Sequence, residues 1–128
     1  MDALKLQVGG CHYKNMPFQP VELFAKTRCT AFQSNIWKYI SRYKDKNGAQ
    51  DVRKCIHYAQ LAIDLKCNGN LGYKKIGIAR AFCSANGLNG YQEKIVMAAA
   101  FDNYSEVIEL SKNLIEEQYP QEALDWPG

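Results

Sequence analysis

A mainly α-helical chain folded as a small helical bundle is what this sequence predicts, with one short strand allowed near the N-terminus. Three observations predict it. Apolar residues recur at spacings of three and four through several stretches of the 128 residues. Short Asn/Gly-rich breakers separate those stretches at 44–48, 68–72 and 86–90. The pairs Asn47 with Gln50, Asn89 with Gln92 and Asn103 with Glu106 have the spacing of capping boxes, which open helices.

The elements follow in order. Leu4, Leu6 and Val8 alternate with polar residues, the pattern of a short strand. Gly9, Gly10 and Pro17 then mark a loop. Pro20 suits a first helical position, so a helix is expected to about Arg28, with Val21, Phe24 and Ala25 inward. Phe32, Ile36 and Ile40 recur at spacing four, with Trp37 and Tyr43 beside them, which predicts a helix over 32–43. The next helix runs from the Asn47 cap to about Cys67, with Val52, Ile56, Ala59 and Ile63 as its apolar stripe and Tyr58, Leu61 and Leu65 beside it. Beyond the breaker at 68–72, the candidate boundary between domains 1–67 and 68–128, a helix is expected over 73–85. Two more follow, to about Ala100 and to about Tyr119, either separate or as one kinked helix. Pro120 and Pro127 mark a frayed tail.

Charge divides the chain. Residues 1–67 hold 11 Lys/Arg against 5 Asp/Glu, whereas residues 68–128 hold 5 against 8. A basic half expects an anionic partner, and an acidic half argues against a nucleic-acid binder that uses its whole surface. The acidic half is also a candidate oligomerising extension, so a homo-oligomer is expected. No apolar run approaches the ~18 residues of a membrane span. No basic flank precedes an apolar stretch near Met1, so the expected location is the cytoplasm. Five cysteines without C-x-x-C spacing predict neither a disulfide framework nor a structural zinc site.

Four constellations carry chemistry. Asn35, Lys38, Tyr39 and Arg42 stand at i, i+3, i+4 and i+7, so one helix face offers an amide, an ammonium, a phenol and a guanidinium. Tyr43, Lys44 and Lys46 lead into a helix N-terminus, whose free N–H groups favour an anion. Asp51, Lys54, His57 and Tyr58 share one side of the next helix; Asp51 can hold a cation or orient a lysine, and His57 can serve as acid or base. Gly9 and Gly10 let the backbone approach a ligand, with His12, Tyr13 and Lys14 following at once. Each pattern also has a plain alternative: a solvated helix face, an ordinary turn, a surface Asp–Lys pair. The chain holds no G-x-x-x-x-G-K-[ST], no G-x-G-x-x-G and no H-E-x-x-H.

Taken together, Val8-Gly9-Gly10-x-His12-Tyr13-Lys14, Gln19-Pro20-Val21-Glu22, Asn35-x-x-Lys38-Tyr39-x-x-Arg42-Tyr43-Lys44-x-Lys46-Asn47-Gly48 and Asp51-x-x-Lys54-x-x-His57-Tyr58 resemble a small phage-encoded family labelled nucleotide kinases, over residues 6–66. The resemblance implies phosphoryl transfer to a deoxynucleoside monophosphate without a P-loop, in the host cytoplasm, with ATP and Mg2+ as cofactors. Lys38, Arg42, Lys44 and Lys46 would neutralise phosphates, with Gly9, Gly10, Tyr13, Lys14, Asn35, Tyr39, Tyr43 and Lys54 alongside. Asp51 or Glu22 would hold the metal, and His12 or His57 would orient the acceptor. Cys11 and Ser34 depart from the residues usual in that family. The alternative is a binder without cofactor or chemistry, one that sequesters a nucleotide or cyclic nucleotide signal of host defence.

Overall fold

The fold is built around the helix Ala31–Arg42, whose Ile36, Trp37 and Ile40 side is fully buried and whose Asn35, Lys38, Tyr39 and Arg42 side is only partly buried. In the computed structural model, which describes residues 2–7, 12–69 and 72–124, the α-helices are α1 (Pro20–Thr27), α2 (Ala31–Arg42), α3 (Ala49–Asp64), α4 (Tyr73–Ala85), α5 (Tyr91–Ala100), α6 (Tyr104–Gln118) and α7 (Pro120–Leu124). Three short 3-10 turns complete the described residues, and no strand occurs among them. The mainly α bundle expected from sequence is therefore present.

α2 starts where Thr30 caps it. The Thr30 hydroxyl accepts from Gln33 N–H (3.1 Å), and Gln33 Oε1 accepts from Thr30 N–H (3.1 Å). Ile36, Trp37 and Ile40 have no exposed surface. Polar groups at this core are matched across helices. Trp37 Nε1 donates to the Val96 carbonyl (3.0 Å), and Gln92 Nε2 donates to the Ile40 carbonyl (3.0 Å). Gln33 Nε2 donates to the Ala99 carbonyl (3.1 Å). These ties lock α2 to α5, because a buried polar group left unpaired costs about 1–3 kcal/mol. Val52, Cys55 and Ala59 of α3 and Val107, Leu114 and Ile115 of α6 join the same cluster, as do Phe82 and Cys83 of α4. One apolar core thus draws side chains from both sides of residue 67.

Several local expectations are corrected. Ala3–Lys5 form a 3-10 turn capped by Asp2, whose carboxylate accepts from Leu4 N–H (3.0 Å), so the expected strand does not form over 2–7; Val8 lies outside the described residues. On α1 the inward residues are Pro20, Leu23 and Thr27, while Val21 and Ala25 are exposed and Phe24 is half-buried. Helices α3 and α5 begin at Gly48 and Gly90 instead of at Asn47 and Asn89 caps. Both glycines take positive φ (55° and 58°). The Asn103–Glu106 cap does form. α3 ends at Asp64, leaving Ile63 and Leu65 exposed. Phe101–Asn103 separates α5 from α6, with Asp102 at φ 57°. The expected frayed tail instead begins with α7, led by Pro120, which suits a first helical position.

The segment before α1 is fastened at two points. Asn86 at the end of α4 clasps Phe18, accepting from its N–H (3.2 Å) and donating to its carbonyl (2.7 Å). Gln7 Oε1 accepts from the N–H groups of Tyr13 (2.6 Å) and Lys14 (3.1 Å). Tyr13 is tied to α2 by its hydroxyl, which accepts from Arg42.

Candidate anion-binding site

Tyr39 projects from α2 at half-burial, and its ring gathers cations. Lys38 Nζ lies 4.5 Å from the ring centroid, Lys54 Nζ 4.6 Å and Arg42 Cζ 4.7 Å. Lys38 and Arg42 come from the same helix as Tyr39; Lys54 comes from α3, which the turn at 43–48 folds back alongside. Tyr58, one helical turn after Lys54, stacks on Tyr39 with centroids 6.1 Å apart and planes 10° from parallel. The electron-rich ring faces attract each cation by about 0.5–1 kcal/mol at an exposed site.

Arg42 and Asp51 form the base of this cluster. Asp51 has no exposed surface. Arg42 donates to it through Nε (3.2 Å to Oδ2) and Nη2 (3.2 Å to Oδ1), and Asn47 N–H donates to Oδ2 (3.2 Å). Arg42 Nη1 also donates to the Tyr13 hydroxyl (3.2 Å). Burial raises the pKa of Tyr13 against the opposing pull of this bond, so the phenol stays neutral. Burial disfavours the Arg42 charge, but its bonds to Asp51 and Tyr13 outweigh that, and its pKa is raised.

Two sequence expectations meet this geometry. The N-terminus of α3 was expected to receive a phosphate; Asp51, in its first turn, turns its carboxylate to the N–H of Asn47 just before the helix. Asp51 was also expected to hold magnesium or pair with Lys54 at the surface. It is buried, both its oxygens accept from Arg42, and Lys54 Nζ pairs with Oδ1 at 3.9 Å. Glu22, the other carboxylate named for the metal, accepts from Gln19 N–H at the start of α1 (3.1 Å). Among the described residues no three His, Cys, Asp or Glu converge to hold a metal ion. The carboxylates expected to bind magnesium therefore do not fit that role.

The remaining expected residues divide by position. Asn35 stays on the α2 face with its amide bonded to the Ala31 carbonyl (2.9 Å). Tyr43 turns inward, 1% exposed, and its hydroxyl donates to Gln118 Oε1 (2.9 Å), so it does not face the site. Lys14, Lys44 and Lys46 are exposed. His57 is exposed, with its ring 5.9 Å from Tyr58. His12 packs edge-on against Tyr13 (5.1 Å), and its Nδ1 lies 3.6 Å from the exposed Asp45. Its Nε2 is buried without a hydrogen-bond partner. Burial lowers the His12 pKa; Asp45 opposes the shift, and Lys46 and Arg42 add to it. Gly9 and Gly10 lie outside the described residues.

Residues 10–60 match a family model described as a protein of unknown function, DUF3310. That description carries no activity, and nothing in it links the family to nucleotide kinases. No curated protein and no solved structure matches the chain. The matched segment spans α1, α2 and most of α3, so it contains Tyr13, Lys38, Tyr39, Arg42, Asp51, Lys54 and Tyr58 together. Sequence reasoning placed Tyr58 beside Lys54 without assigning it to the site. The signal was its place one turn beyond Lys54, on the side that faces α2.

Proposed function

We propose that this chain binds a phosphorylated nucleotide at the Tyr39 cluster and holds it without chemistry. The observation that carries the reading is the set of three cations around one tyrosine ring, with a single carboxylate beneath them. Arg42 is balanced by Asp51. Lys38 joins no ion pair among the described residues, and Lys54 reaches Asp51 only at 3.9 Å. Two positive charges are thus left over at a surface where they repel each other. An anion with several oxygens relieves that repulsion, and Tyr13, whose hydroxyl accepts from Arg42, offers a ring beside it for a planar base. A non-catalytic role fits the carboxylates, since Asp51 and Glu22 are committed to the protein's own donors. In a phage-encoded chain, such a site would sequester a nucleotide or cyclic nucleotide signal in the host.

The second reading is a nucleotide kinase that phosphorylates a deoxynucleoside monophosphate. It is favoured by His12, whose Nδ1 lies 3.6 Å from Asp45 and whose Nε2 has no hydrogen-bond partner. Any magnesium would have to arrive on the nucleotide itself.

One experiment separates them. The pure protein is incubated with mononucleotides and cyclic nucleotides, with and without ATP and magnesium, then denatured and its small molecules chromatographed. Ligand recovered unchanged supports the binder. A new phosphorylated product overturns it in favour of the kinase.

A further inference from the structure

We infer that the apolar groove between the N-terminal segment and α1 receives the base of the nucleotide whose phosphate sits at Lys38. The inference rests on the proposed nucleotide-binding reading and adds where the rest of the ligand lies.

The groove encloses about 410 Å³, within the range of small-molecule sites. Leu4 and Leu6 of the N-terminal segment and Val21 and Phe24 of α1 line it together with Tyr13 and Lys38. Three of these apolar side chains are exposed: Leu6 at 58%, Val21 at 52% and Leu4 at 36%. Gln19 Nε2, at the start of α1, donates to the Leu4 carbonyl, and Gln7 accepts from the Tyr13 and Lys14 N–H groups, so the segment is tied beside α1 by its backbone while these side chains stay exposed.

Lys38 decides the occupant. Among the described residues it is the one charged side chain lining the groove, and the same ammonium belongs to the Tyr39 cluster. Tyr13 is likewise shared, lining the groove while its hydroxyl accepts from Arg42. The two sites therefore share Lys38 and Tyr13, so an apolar lining adjoins a cationic cluster. A phosphate monoester of a nucleoside has that polarity, with a planar body at one end and a dianion at the other. Inorganic phosphate or a bare sugar phosphate would leave the groove empty.

The test is calorimetric titration of the full chain with four deoxynucleoside monophosphates, deoxyribose 5-phosphate and octyl phosphate. Wild type should bind its preferred nucleotide at least about tenfold tighter than deoxyribose 5-phosphate. The surface double variant Leu6→Ser/Val21→Ser should erase that advantage and leave sugar-phosphate affinity unchanged. Val21→Thr, which keeps the side-chain shape, should erase part of it. Lys38→Ala should weaken both ligands together. Nucleotide binding that survives the groove variants, or that never exceeds sugar-phosphate binding, overturns the inference while leaving the phosphate site standing. Octyl phosphate bound tighter than every nucleotide also overturns it. Wild-type protein that binds neither nucleotide nor sugar phosphate overturns the parent reading as well.

Discussion

Asp51 is fully buried, and Arg42 supplies two of its donors, so the two residues depend on each other. Arg42→Ala would leave a carboxylate unpaired in the interior, which costs about 3 kcal/mol or more. Urea unfolding should show that loss, and Arg42 is thus a poor probe of ligand binding. Lys38 and Lys54 are the better probes, since neither supports a buried charge alone. Each changed to alanine should leave the unfolding midpoint nearly unchanged. His12 gives a pH prediction. Its folded pKa lies below 6.5, chiefly through burial, so the unfolded chain takes up a proton before the folded one does. Stability should therefore be fully present above about pH 6.5 and decline as pH falls toward the folded pKa. Thermal melts between about pH 7 and about pH 5.5 should show a drop that His12→Asn reduces. The Asn35–Lys38–Tyr39–Arg42 face was legible in the sequence because helical geometry alone fixes those angles. Asp51's role was not, because its partners depend on the residue at which α3 begins.

At the scale of elements, the starts of α3 and α5 account for most differences between expectation and structure. Asn47 and Asn89 have capping chemistry, yet Gly48 and Gly90 take the N-cap positions with φ near +55° to +58°. The capping spacing is short-range information; the glycine conformation is chosen by what the helix must reach across the molecule, Arg42 for α3 and the Ile40 carbonyl for α5. A Cβ at Gly48 would also meet the Tyr119 ring at 3.2 Å, whereas one at Gly90 meets nothing within 4 Å. Gly48→Ala should cost about 1–3 kcal/mol, and more than Gly90→Ala, in chemical denaturation. Equal losses at the two positions would show that Tyr119 does not hold this turn. Leu4 and Leu6 were read as strand residues from their alternation, and that pattern is equally met by a segment showing one side to a groove.

Across the whole molecule, the core links α2 and α3 with α4, α5 and α6, so the basic and acidic parts of the chain share one apolar interior. Unfolding should accordingly be one cooperative transition by fluorescence and by circular dichroism, and residues 1–67 alone should not fold, because Trp37 and Ile40 would lose α5. The buried thiols report on the same core. Burial pushes Cys83 up to about 12 and raises Cys55 further, and neither has exposed surface. Both should resist a thiol reagent until the chain unfolds. The helical class was legible because periodicity is a local property. The pairing of α2 with α5 was not, since it uses side-chain bonds to carbonyls more than fifty residues away in sequence, such as Trp37 to Val96, and the pairing of α3 with α6 rests on apolar side chains equally far apart.

The central claim is that Lys38 and Lys54, gathered on Tyr39, hold a nucleotide's phosphate. Equilibrium dialysis of wild type and Lys38→Ala/Lys54→Ala against labelled nucleotides tests it most directly. Saturable binding by wild type, with at least about a tenfold loss in a double variant that melts at the wild-type temperature, is the predicted result. Wild-type protein that retains no nucleotide, or a double variant that binds as tightly as wild type, would contradict it.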